Sequence, residues 1–220
     1  MIRALVFDFD GLIIDTETPL IDAWAELHRR AGHAYSRNDA HRLVGHVGVA
    51  FDPWSAFGSG ADRTALGAAH KQLTRELVAR QPVLPGVLDC LQAARARGLR
   101  LGVASNSSHR HVDGHLARLG LANWFDCTCC REDIVAGKPA PDLYLAILRR
   151  FAVGPAEAVA FEDSSAGATA AHRAGLWVVA VPNPSTRGHD FSPAHLVLPS
   201  LATMPLDRLL ARFEAAAPAA

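Results

Sequence analysis

A parallel, doubly wound α/β sheet with a small helical domain inserted after its first strand is the fold class that these 220 residues predict. Three observations carry that reading. From Pro82 onward, short apolar runs alternate with segments of helical period. Residues 16–81, by contrast, are helical in pattern and contain no clear strand. Half of all residues are hydrophobic, enough to bury a sizeable core. The expected layout is a core of residues 1–15 and 82–220 with a helical domain of residues 16–81 inserted in it.

Each element follows in order. Residues 2–7 are a short apolar run ending in acids, the pattern of a buried parallel strand. Thr18-Pro19 reads as an N-cap followed by proline at the first helical position. Leu20, Ala23, Trp24, Leu27 and Ala31 then recur at helical spacing, and Gly32 can end that helix. A second helix is expected over residues 36–44, then a loop with some short helix over 45–60, then a helix after Asp62 carrying Leu66, Ala69, Leu73 and Leu77. Trp24, Phe51, Trp54 and Phe57 in this insertion read first as packing residues, with Trp54 a candidate to touch a ligand.

In the second part, Pro85-Gly86 opens a helix that ends near Gly98, and residues 99–105 form a strand. A helix ending at Gly120 leads to a strand over residues 124–130. Helices over 141–151 and 164–174 alternate with strands over 158–161 and 176–181. Residues 195–198 suggest a short late strand, a last helix starts near Leu206, and the Ala/Pro-rich tail 215–220 should fray. The crossovers of such a sheet are expected to be right-handed.

Composition narrows the function classes. Lys plus Arg and Asp plus Glu balance at 22 each, so nothing points to capture of nucleic acid or of an anionic membrane. No apolar run approaches the roughly 18 residues that span a bilayer. The chain starts directly on a strand without a signal-peptide layout, which makes a cytoplasmic protein the expectation. Cys90, Cys127, Cys129 and Cys130 read as buried reduced thiols rather than a disulfide framework or a zinc site.

Ligands of open α/β sheets gather at the carboxyl ends of the strands. There the sequence places Asp8-Phe9-Asp10-Gly11, Ser105-Asn106-Ser107, Lys138-Pro139 after a loop, and Glu162-Asp163-Ser164. Several carboxylates brought to one edge repel unless a cation neutralises them, and hard oxygen ligands suit Mg²⁺. A lysine and a hydroxyl-bearing loop beside such a metal suit a phosphoryl group. No Walker lysine loop, serine elbow or G-x-G-x-x-G accompanies them, which leaves a carboxylate nucleophile as the natural option. His109, His111 and His115 lack the glutamate of H-E-x-x-H and read as a solvated helix face.

These strings carry a resemblance. Residues 6–17, V-F-D-F-D-G-L-I-I-D-T-E, resemble motif I of the haloacid dehalogenase-like (HAD) superfamily, in the branch of β-phosphoglucomutase and small-metabolite phosphatases. Val103-Ala104-Ser105-Asn106 resembles motif II, Gly137-Lys138-Pro139 motif III, and Phe161-Glu162-Asp163-Ser164 motif IV. The resemblance implies Asp8 as nucleophile and Asp10 as the acid, then base. It implies Mg²⁺ on the Asp8 carboxylate, the Asp10 backbone carbonyl and Asp163, with Glu162 close by or reaching through water. Ser105 and Lys138 would hold the phosphoryl group, assisted by Asn106, and the helical insertion would be a cap closing over a HAD core.

The implied activity is hydrolysis of a small phosphate monoester, with a small phosphorylated metabolite as partner and a monomer as the usual state. A phosphohexomutase is the first rival. Mutases of this kind carry His where this chain has Leu20 and Arg in the loop that here reads Gly45-His46-Val47-Gly48. A haloacid dehalogenase is weaker, because Asp10 is present. An inactive protein that holds a phosphometabolite would not need Asp10.

Overall fold

The computed structural model describes residues 1–37, 40 and 52–216. Most of the helix expected over 36–44, the Gly45-His46-Val47-Gly48 loop, Phe51 and the last residues of the tail lie outside the described residues. Among the described residues six parallel strands form one sheet: β1 (Ala4–Phe7), β2 (Arg100–Ala104), β3 (Cys127–Cys129), β4 (Ala158–Glu162), β5 (Trp177–Ala180) and β6 (Leu196–Val197). Their spatial order is β3-β2-β1-β4-β5-β6, so β1 is central and every residue of it is buried.

The strands alternate their side chains between two apolar layers. On one face Leu5, Phe7, Leu101, Val103, Val159 and Phe161 pack against α3 (Val87–Ala96), α4 (His109–Arg118) and α7 (Leu206–Ala216). On the other face the strands offer smaller residues, Ala4, Ala104, Ala158 and Ala160, to α5 (Asp142–Phe151) and α6 (Ser165–Arg173). Gly102 belongs to that face too; a Cβ there would lie 3.0 Å from Ile147 Cγ2. Small strand residues thus let these helices approach closely.

Between β1 and α3 the chain makes a helical excursion, α1 (Glu17–Arg30), a 3₁₀ turn (Ser55–Phe57) and α2 (Arg63–Val78). It leaves and re-enters the core at adjacent points, where Ile14 pairs with Val83 and Leu84 N donates to Ile13 O at 2.9 Å. Trp24 on α1 fills the gap to α2, with His70 stacked 4.3 Å away and Trp54 edge-on at 4.6 Å. Asp62 caps α2 by accepting from Ala65 N.

Several expected boundaries shift. α1 begins at Glu17, because the Asp15 carboxylate accepts from the backbone of both Glu17 and Thr18; Thr18-Pro19 therefore lies inside the first turn. Ile21 takes the inward position, and Leu20 and Ala31 are exposed. Ala69, placed on the inward stripe of α2, is exposed as well. The strand expected over 124–130 is only Cys127–Cys129, since Ala122–Trp124 coils into a 3₁₀ turn. The last helix runs through Ala216 rather than fraying at residue 215. Cys90, Cys129 and Cys130 are buried free thiols and Cys127 is half-buried; burial pushes Cys90 and Cys130 up to about 12. Among the described residues no helix is long and apolar enough to cross a membrane.

Candidate active site

The strand order reverses at β1, with β2 and β3 on one side and β4 to β6 on the other. A sheet opens a crevice at the carboxyl edge of such a switch point. The register Phe7↔Phe161 sets Asp8 beside Glu162 there, and Asp8 N donates to Phe161 O at 2.9 Å. Phe7↔Val103 brings in the end of β2 and hence Ser105. A cleft of about 290 Å³ results, lined among others by Asp8, Asp10, Glu17, Ser105, Asn106, Lys138 and Asp163. Of the residues singled out for the site, only Glu162 does not line it.

Lys138 holds the floor. Its Nζ donates to Asp8 Oδ1 at 2.6 Å, to Ala104 O at 2.8 Å and to Glu162 Oε1 at 2.6 Å, from a side chain that is only 5% exposed. Asn106 fixes the loop that delivers it: Asn106 Oδ1 accepts from Lys138 N at 2.9 Å, and Asn106 Nδ2 donates to Lys138 O. The Lys138-Pro139 peptide is cis. Burial alone would lower the Lys138 ammonium, but the charges of Asp8 and Glu162 overcome this and hold it above its ordinary value.

Glu162 is wholly buried behind this floor. It accepts from Lys138 and from the Tyr144 hydroxyl on α5. Gly167 of α6 makes the room: a Cβ there would lie 1.8 Å from Glu162 Oε2. Burial, then the neighbouring Glu162 charge, pushes the Tyr144 hydroxyl well above its ordinary value, so it stays a donor.

Asp163 turns toward Gly11 and Asn183 Nδ2, which donates to its Oδ2 at 2.8 Å. Gly11 sits at φ 78°, and a Cβ there would lie 2.2 Å from that same oxygen. Burial pushes the Asp8 carboxyl up to about 7, with Lys138 pulling it down and Glu162 and Asp10 pushing it up. Burial and then the Asp8 and Glu162 charges push Asp163 well above the carboxylate range.

Ligand oxygens of Asp8, Glu162 and Asp163 lie within 4.8 Å of one another. Among the described residues Lys138 is the one ammonium at these three buried carboxylates, leaving a net negative cluster that a divalent cation would neutralise. The donor set is all oxygen, which fits a hard cation. Since Glu162 already accepts from Lys138 and Tyr144, Asp8 and Asp163 are the carboxylates with capacity left for an ion.

Asp10 lines the same cleft. Ser107 Oγ donates to Asp10 Oδ2 at 2.6 Å, Ser105 Oγ stands 3.5 Å from that oxygen, and His111 Nε2 lies 2.8 Å from Oδ1. Burial raises the Asp10 carboxyl, but the bond and charge of His111, with Ser107 and Thr16, more than offset it and leave it lowered. The solvated histidine face expected on α4 is thus half wrong: His111 is turned into the site, whereas His109 bonds Asp113 and Asp133 at the surface.

Sequence reasoning missed His111, Tyr144 and Asn183. Tyr144 had a usable signal, a polar aromatic on the inward stripe of a helix that must cross Glu162. Leu20, where a mutase would carry His, lines a neighbouring groove with His70 and His111.

Comparison with known proteins bears on this geometry. YhcW of Bacillus subtilis (strain 168) is 37% identical over 214 residues, which cover 96% of this chain and 97% of YhcW. Hexitol phosphatase B of Escherichia coli (strain K12) is 29% identical, covering 95% of this chain and 97% of its own. A mutant CbbY from Rhodobacter sphaeroides, solved in complex with Xylulose-(1,5)bisphosphate, superposes with a TM-score of 0.68 at 27% identity over 92% of this chain and 96% of that one. The family model for the haloacid dehalogenase-like hydrolases matches residues 2–175, and the chain belongs to that family.

Proposed function

We propose that the chain is a phosphatase that hydrolyses a small phosphate monoester, with a sugar or polyol phosphate as substrate, through a phosphoryl group carried on Asp8. The observation that carries this reading is the grouping of Asp8, Lys138 and Asp163 at one buried point, with Asp10 and Ser105 lining the same cleft of about 290 Å³. Hexitol phosphatase B and the bisphosphate-bound CbbY support the substrate class by their names. Glu17 lines the same cleft and offers a carboxylate acceptor for a substrate hydroxyl.

Asp8 attacks phosphorus; the bond to the leaving oxygen breaks as that oxygen takes the proton of Asp10. Water then gives a proton to Asp10 and attacks the same phosphorus, the bond to Asp8 breaks, and hydrogen phosphate leaves with both carboxyl groups restored. His111 and Ser107 favour ionised Asp10, the form the second half needs. An arriving phosphoryl dianion raises it and so supplies the protonated form for the first half. Ser105 and Lys138 hold the transferring group, and Asn106 keeps Lys138 in place.

Mg²⁺ would be held by the Asp8 carboxylate, the Asp10 carbonyl and Asp163, and would supply charge neutralisation for the phosphoryl oxygens. Residues 16–81 act as a cap over the core formed by 1–15 and 82–220 and exclude bulk water when closed.

The test is phosphate release over a panel of sugar, polyol and other small phosphate esters. Asp8→Asn should lower turnover on the order of 10³-fold or more while folding and phosphate binding survive. Turnover near wild type removes Asp8 as nucleophile. Phosphate release that survives EDTA would remove the divalent metal from this reading, whereas halide release from a haloacid in EDTA would point to the dehalogenase class. Formation of glucose 6-phosphate from β-glucose 1-phosphate with a trace of the bisphosphate would make the protein a mutase instead.

A further inference from the structure

We propose that His111 is the positioning residue of the acid–base carboxylate: it anchors the outer oxygen of Asp10 so that the inner oxygen faces the transferring phosphoryl group. The inference rests on the Asp10 role given above and adds a residue to it.

The two oxygens of Asp10 have different surroundings. Oδ2 receives the Ser107 hydroxyl at 2.6 Å and lies 3.5 Å from Ser105 Oγ, so it is on the side of the phosphoryl cleft. Oδ1 meets His111 Nε2 at 2.8 Å, and His111 is not among the residues that line that cleft. A carboxylate on one rotatable Cβ–Cγ bond can swing its plane unless both ends are held. The His111 N–H fixes one end; at the other, Oδ2 accepts from Ser107 with one lone pair and keeps the second for proton exchange with the reacting oxygen.

The ring is itself held. Ser108 caps α4 and accepts from His111 N at 3.3 Å, so the imidazole occupies the first turn of a capped helix. Phe9 packs edge-on against it at 5.7 Å, and His115, one turn later, lies 4.8 Å away. A side chain locked by packing on a helix is the support that a proton-transfer group needs, because displacement by about 1 Å can cost on the order of 10²-fold in rate.

The test uses the dependence on leaving group. An alkyl phosphate needs a proton on its leaving oxygen; p-nitrophenyl phosphate, with an acidic leaving group, needs little help. We expect His111→Leu to lower kcat/KM for the best alkyl phosphate about ten-fold or more and to change kcat/KM for p-nitrophenyl phosphate less than about two-fold. His111→Gln, which keeps an N–H donor, should restore most of the loss. Equal falls on both substrates would mean a structural role only and overturn the inference, as would no fall on the alkyl ester. If His111→Leu does not fold, His111→Asn, too short to reach Oδ1, is judged by the same thresholds. Asp10→Asn run in parallel separates the two readings. If it is impaired while the His111 variants are not, only this inference fails; if it is unimpaired, the acid–base role of Asp10 fails as well.

Discussion

Lys138 Nζ lies 2.6 Å from Asp8 Oδ1 and equally 2.6 Å from Glu162 Oε1, so one buried ammonium joins the tips of β1 and β4. Lys138→Met removes that charge and leaves Glu162, among the described residues, with Tyr144 and Ser164 as side-chain hydrogen-bond partners. Breaking a buried pair from one side costs about 3–5 kcal/mol, and losing a charge aimed at the transferring group costs about 10²–10³-fold in kcat. Urea unfolding and phosphate-release kinetics on the same preparation check both.

The stability of the metal-free protein should fall as pH rises. In the fold Asp8 titrates at about 7 against an ordinary 3.8. The folded form therefore binds more protons than the unfolded chain between those values. The stability this contributes is complete below 3.8 and is lost as pH rises through 7, and Asp163, also raised, adds to the trend. Urea midpoints in EDTA should drop from about pH 5.5 to about pH 8, and less steeply for Asp8→Asn. If Asp8 and Asp163 hold Mg²⁺ as proposed, added Mg²⁺ should restore stability most at the higher pH, where the carboxylates are ionised.

Asn183 holds Asp163 from outside the motif, Nδ2 to Oδ2 at 2.8 Å. With Asp163 as the metal ligand proposed above, Asn183→Ala should weaken metal activation about 10–100-fold, the usual effect of releasing a ligand's support. A Mg²⁺ titration of activity measures it. Saturating Mg²⁺ should return kcat to near wild type, since Asn183 is not among the groups assigned to the phosphoryl chemistry.

Gly167 gives a prediction whose sign runs against propensity. Replacing glycine inside a helix by alanine ordinarily stabilises by about 0.5–1 kcal/mol. Here the new Cβ would fall 1.8 Å from Glu162 Oε2 and 2.0 Å from its Cδ, in a fully buried spot. Gly167→Ala should destabilise by about 1–3 kcal/mol and lower activity by shifting Glu162 and with it Lys138. Thermal melting and kcat read the two effects.

The strand ends were legible from local pattern. Asp8, Ser105 and Asp163 each follow a short apolar run, and a parallel sheet brings such ends to one edge whatever the details of packing. Boundaries were less legible. Thr18-Pro19 is a sound helix start on propensity alone, yet the Asp15 carboxylate captured two backbone N–H groups earlier in the chain. The run 124–130 reads as one strand, but only Cys127–Cys129 has register with Gly102, Val103 and Ala104 on β2.

By itself the sequence determined the sheet, the helical excursion between β1 and the rest, and the acids, lysine and hydroxyl that meet at the strand edge, because periodicity and order along the chain encode them. Only the tertiary structure decided that His111 meets Asp10, that Tyr144 and Gly167 shape the space around Glu162, and that Asn183 holds Asp163. Those contacts depend on how each helix is rotated and how closely it lies on the sheet, which is set by side chains such as Phe9, Ala104 and Ala160 filling the layers between them. No short stretch of chain contains that information.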